Sequence, residues 1–106
     1  MTKEQKAICH KIADYYGTEH QAVKAIEKMA ELQKELAKFT IGDGGDIDSI
    51  VEELADVMIM IEQMRYCFDT DGVWIRETIR AKLGRQINRM KASEEGGCED
   101  VDKTDR

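Results

Sequence analysis

The chain has 106 residues, no proline and 36% charged side chains, enough for one domain with a modest core and a composition that favours helix. Its formal net charge of −6 opposes nucleic-acid binding through phosphate neutralisation. No run approaches the roughly 18 apolar residues of a membrane span, and the start MTKEQKAICHK lacks the apolar stretch of a secretory signal, so a cytoplasmic protein without nucleic-acid or membrane partners is expected. Cys9, Cys67 and Cys98 are widely spaced and odd in number. That supports neither a zinc site nor a disulfide framework; Cys9 and Cys67 read as buried reduced thiols and Cys98 as a tail residue.

The hydrophobic pattern predicts an all-α chain of four helices, a four-helix bundle-like architecture. The first spans about residues 3 to 15, with Thr2 and Gln5 as a capping box and Gly17 as a stop. The second starts at Thr18, where Thr18 and Gln21 repeat the Ser/Thr-x-x-Glu/Gln pattern, and ends near Thr40. Its stripe is Ala22, Val23, Ile26, Met29, Leu32, Leu36 and Phe39. Gly42-Asp43-Gly44-Gly45-Asp46 breaks the helical pattern.

The third helix starts at Asp48 or Ser49, with Ser49 and Glu52 as a further capping box, and runs to about Phe68. It is apolar over most of its circumference, which predicts burial against its own domain or a partner chain; a chain this short covers it poorly alone, so a homo-oligomer is expected. Asp69-Thr70-Asp71-Gly72 is a turn. The fourth helix runs from Val73 to about Lys91 with Ile75, Ile79, Leu83, Ile87 and Met90 on an inner stripe. Residues 1–92 thus form the domain, and the acidic, glycine-containing segment from Ser93 to the end is expected to be a disordered tail.

Glu53 and Asp56 stand at i and i+3 in one of the most apolar segments, about one turn apart on nearly the same face. A carboxylate there is costly unless it is paired or holds a metal. Asp56 fits poorly as a mere helix-start acid, because it lies two turns in and Asp is a weak mid-helix residue. Glu27, Glu31 and Glu35 recur at i, i+4 and i+8 upstream. They read either as an exposed ladder paired to lysines or, facing Glu53 and Asp56 across an antiparallel pair, as makings of a Mg²⁺ site. The fourth helix carries Arg80, Lys82, Arg85 and Arg89, suited to phosphates or to a solvated basic face. His10 and His20 have no ligand partner at useful spacing and read as surface or cap residues. The methionines of the third helix read as core filler.

The segments Gln21-Ala22-Val23-Lys24-Ala25-Ile26-Glu27-Lys28-Met29-Ala30-Glu31-Leu32 and Ile50-Val51-Glu52-Glu53-Leu54-Ala55-Asp56-Val57 resemble the MazG-type all-α nucleoside triphosphate pyrophosphohydrolases. The closer likeness is to their short single-domain form, common in phages and Firmicutes. The resemblance covers roughly residues 18–91. It implies a homodimer or homotetramer that converts a nucleoside triphosphate and water to the monophosphate and pyrophosphate with Mg²⁺, Mn²⁺ being a possible substitute. It implies Glu31, Glu53 and Asp56 as catalytic metal ligands, Glu52 as the neighbouring acid, and a closing basic helix whose Lys82, Arg85 and Arg89 hold phosphate.

The chain departs from the family pattern at Lys28, where the second acid of Glu-Glu-x-x-Glu is expected. Three consequences stand open: Glu27 or Glu35 completes a shifted metal set; Lys28 neutralises the acids and leaves a catalytically degenerate nucleotide-binding or interaction module; or Lys28 touches a substrate phosphate directly.

Overall fold

In the computed structural model, which describes residues 1–42 and 44–96, the secondary structure is entirely helical: α1 (Lys3–Tyr16), α2 (Thr18–Thr40), α3 (Ile47–Phe68) and α4 (Val73–Gly96). The chain divides into two compact units, Met1–Asp71 with the first three helices and Gly72–Arg106 with the fourth. No helix among the described residues is long and apolar enough to cross a membrane.

The first start signal acts as its sequence predicts. The Thr2 hydroxyl accepts the Gln5 backbone N–H at 3.1 Å and the Gln5 side chain accepts the Thr2 N–H at 2.9 Å, closing a capping box. The other two expected boxes do not form. Thr18 is already inside α2, whose N-cap is Gly17 without a side-chain bond, and the Gln21 amide is buried elsewhere. The α3 cap is Asp46, one turn before Ser49, whose hydroxyl donates to the Asp46 carboxylate at 3.1 Å. Gly17 has φ of +93°, a conformation in which glycine alone is unstrained, and this lets α1 turn directly into α2. In the following loop a Cβ at Gly45 would meet the Phe39 backbone at 2.5 Å, so only glycine permits that approach. Ser93 to Gly96, placed in the tail by composition, continue α4; Cys98 and the remaining tail lie outside the described residues.

α2 and α3 are antiparallel, and their register is set by polar pairs. Gln21 donates its amide N–H to Gln63 Oε1 at 2.7 Å, and Lys28 lies 3.6 Å from Asp56: seven residues along α2 correspond to seven back along α3. Gln21 and Gln63 are both buried, where an unpaired amide would cost about 1–3 kcal/mol. α1 packs chiefly on α3, burying Cys9 and Ala13. Cys67, expected to be buried, is half-buried.

α3 does not bury its whole circumference. Val57, Met60 and Gln63 are buried, while Ile47, Val51, Leu54, Met58, Ile61 and Phe68 are between 42% and 68% exposed. The first five follow alternating steps of four and three residues, the seam spacing of a helix that packs on another helix, and Phe68 comes seven residues later. Ile79, Leu83, Ile87 and Met90 of α4, expected to face inward, are likewise exposed. Periodicity had identified apolar faces correctly; it carries no information on whether the same chain covers them.

A charged network clamps α1 to the last turns of α3. His10 Nε2 lies 2.6 Å from Glu62 Oε2, and since a carboxylate only accepts, Nε2 carries the proton. Arg65 donates to the same oxygen at 2.7 Å and to the carbonyls of Asp69 and Thr70 at 2.9 and 2.8 Å. The His10 ring stacks on Tyr66 with centroids 4.2 Å apart, and Tyr66 donates to the Asp14 carboxylate at 3.0 Å. His10 is therefore a structural hub rather than a surface residue. Hydrogen bonds from Arg65, joined by His10, hold the Glu62 carboxyl down at about 2 against burial, which raises it. A lowered carboxyl stabilises the fold above its unfolded value and loses that contribution as the pH falls. Acid titration should therefore reduce stability between about pH 4.5 and 2 by on the order of 1–3 kcal/mol, discounted for solvent. Urea unfolding of Glu62→Gln should lack this component and show lower stability than wild type at pH 7.

Candidate functional site

The register that pairs Gln21 with Gln63 and Lys28 with Asp56 sets Glu31 opposite Glu53, one turn further towards the glycine loop. Four carboxylates lie within electrostatic reach there: Glu53, on α3, is acted on by Glu31 and Glu35 from α2 and by Asp56 from its own helix. The Glu53 carboxyl is raised first by burial, then by Glu31 and Asp56, with Lys28 opposing and Glu35 adding. Glu53 Oε2 is buried without a hydrogen-bond partner, an arrangement that costs free energy unless something binds it.

Lys28 sits in the middle of these acids. Its ammonium lies 3.6 Å from Glu31 and 3.6 Å from Asp56, and those two carboxylates raise the Lys28 pKa. Both distances are long for direct hydrogen bonds, and the side chain remains 30% exposed. Lys28 is thus a loosely held counter-ion on a flexible stem, not a locked one.

The other candidates separate clearly. Glu35 is only 17% exposed, faces the cluster and meets Lys38 at 3.4 Å. Glu27 is 59% exposed and lies 3.9 Å from Lys24, and it is not among the groups that act on Glu53. Glu52 is exposed. Lys82, Arg85 and Arg89 lie on α4 in the second unit, where Arg89 donates to Gln86 at 3.1 Å. The basic residue that does stand among the acids, Lys28, is visible in the sequence as a break in an acidic pattern.

The donors suit a hard divalent cation: all are carboxylate oxygens, one is buried and unpartnered, and their combined charge exceeds what one lysine offsets. Their arrangement is not a closed cage. Among the described residues no group of three or more His, Cys, Asp or Glu side chains stands where it could hold a metal ion, and Lys28 occupies the space between Glu31 and Asp56.

Since a raised carboxyl makes the ionised form the costly one, Glu53 weakens folding as pH rises through and above about 4.5. Glu53→Gln removes that charge and offers an amide N–H to Glu31 or Asp56. Its melting temperature in EDTA should exceed that of wild type by a few degrees at pH 7, and the gap should close near pH 4 in a thermal scan.

No family model matches the chain, and neither a curated protein nor a solved structure matches it significantly.

Proposed function

We propose that the acidic cleft between α2 and α3 is the phosphate-handling site of a MazG-like nucleotide pyrophosphohydrolase, converting a nucleoside or deoxynucleoside triphosphate and water to the monophosphate and pyrophosphate. The observation that carries this reading is the buried, unpartnered Glu53 oxygen, on whose carboxyl three further carboxylates act. A purely structural helix pair gains nothing from such a group, whereas a site that binds a cation and polyphosphate does.

In this reading Glu31, Glu53 and Asp56 would hold Mg²⁺ only after Lys28 withdraws and their side chains close together, since as they stand they form no metal-holding group, with Glu35 a further acid beside them; the ion would supply charge neutralisation at the phosphoryl group and activation of water. The Glu53 oxygen not engaged by the ion would take a proton from the attacking water. Attack at the α-phosphorus forms the new P–O bond and breaks the bond to the bridging oxygen, and pyrophosphate departs with that electron pair. Lys28 moves its ammonium from Glu31 and Asp56 to a phosphate oxygen, freeing both carboxylates as substrate arrives. The exposed seam of α3 accords with self-association as a homodimer or homotetramer.

A second reading has a specific observation in its favour. Lys28 already bridges Glu31 and Asp56, which favours reading the chain as a degenerate member of that class that binds nucleotides without turnover.

Pyrophosphate release from a panel of ribo- and deoxyribonucleoside triphosphates, with Mg²⁺ or EDTA, separates the two. The hydrolase reading expects metal-dependent release by wild type and a loss of at least a hundredfold in Asp56→Asn. Silence in wild type with release by Lys28→Glu would establish the degenerate reading. Silence in both variants, with no change in melting temperature on adding Mg²⁺, would sink the hydrolase assignment.

A further inference from the structure

Resting on the nucleotide reading of the acidic cleft, we infer that the cavity beside it, walled by Tyr16, His20 and Lys24, is the seat of the nucleoside: an aromatic base stacks on the Tyr16–His20 pair and its phosphates run along Lys24 and Lys28. The cavity has a volume of about 370 Å³ and draws on all three helices of the first unit, with Ile12 and Ile59 among its apolar walls and Asp56 at its acidic end. That volume falls within the roughly 300–1,000 Å³ of small-molecule pockets, which are typically apolar with a few convergent polar groups.

Three features define the ligand. The first is aromatic. Tyr16 lies nearly parallel to His20, with ring centroids 5.0 Å apart and an interplanar angle of 15°, and Tyr15 meets Tyr16 edge-on at 4.8 Å. Tyr16 is 53% exposed, so this pair is not core packing. It is a solvent-facing aromatic platform at the α1–α2 junction, of the kind that binds any base through its π-face. His20 is fixed in place because its Nδ1 lies 2.7 Å from Gln21 Oε1, and Gln21 is itself buried and bonded to Gln63.

The second feature is a row of polar and cationic groups. His20, Lys24 and Lys28 recur at i, i+4 and i+8, on one line of α2 with about 6 Å between successive positions. All three line the cavity. The lysines are loosely engaged, Lys24 at 3.9 Å from Glu27 and Lys28 at 3.6 Å from its two acids, so an anion can draw them away at small cost. The third feature is polarity along this line. The aromatic end is remote from the carboxylates and the Lys28 end adjoins them, which orients a bound nucleotide with its base at Tyr16 and its phosphates towards Glu31, Glu53 and Asp56.

The test is a ligand-observed NMR titration of the full chain with each of the four nucleoside 5′-monophosphates and with inorganic pyrophosphate, alongside the pyrophosphate-release assay. Wild type should bind at least one monophosphate. Tyr16→Ala and His20→Ala should each weaken that binding about tenfold and leave pyrophosphate binding unchanged, while Tyr16→Phe stays within about twofold because it keeps the ring. Lys24→Gln should weaken both ligands. Monophosphate binding that is indifferent to Tyr16, His20 and Lys24 would overturn the pocket assignment and leave the hydrolase reading intact, as would pyrophosphate release without any detectable monophosphate binding. Tyr16-dependent binding without pyrophosphate release would uphold the pocket while the hydrolase reading falls. Absence of both binding and release would end both.

Discussion

The antiparallel register of α2 on α3 is the constraint on which everything else in the first unit depends. A glutamine pair fixes it. Gln21 and Gln63 are buried and satisfy one another, and a slip of one turn would leave both amides without partners in an apolar seam. Leucine at both positions would pack as well but would tolerate such slips, since apolar contact is non-directional. The register then determines the chemistry two turns away, because it alone brings Lys28 to Asp56 and Glu31 to Glu53. A polar pair that adds little net stability thus specifies which carboxylates act on Glu53.

Those carboxylates and Lys28 form an unbalanced arrangement. One ammonium stands among four acids, at distances too long for strong hydrogen bonds, and one Glu53 oxygen has nothing to bind. A lysine with a fixed structural role is expected at closer range and with its acids fully paired. A glutamate at the same position would add a fifth negative charge and make the empty cleft more repulsive still. Lys28 therefore relieves the repulsion among the acids while leaving a negative excess. Under the proposed function a cation would neutralise that excess and would first have to displace Lys28, which would lower its affinity.

Much of the fold could be read from the sequence, and the misreadings have definite causes. The four helices and the breakers at Gly17, the glycine loop and the Asp69–Gly72 turn follow from local pattern, because glycine conformational freedom and apolar period act over a few residues. The caps at Thr18 and Ser49 failed because a capping box was inferred from residue types alone. Gln21 had a better partner on another helix, and Asp46 preceded Ser49 by one turn. The C-terminal end of α4 differs from the expected one because composition changes at Ser93 before the helical backbone stops.

Long-range polar contacts were beyond local reasoning. His10 and Glu62 are separated by 52 positions, and no spacing rule joins them; the same holds for Tyr16, His20 and Asp56, which line one cavity from three helices. Glu53 and Asp56 were legible for the opposite reason, since a carboxylate in an apolar helix is anomalous wherever the chain folds. The exposed seam of α3 lies between these cases. Its four-three spacing states that a helix face is meant for another helix, yet the same spacing serves an intrachain and an interchain partner equally. A hydrophobic period therefore encodes a surface and its geometry, while the identity of what covers it resides in charges and shapes contributed by the partner.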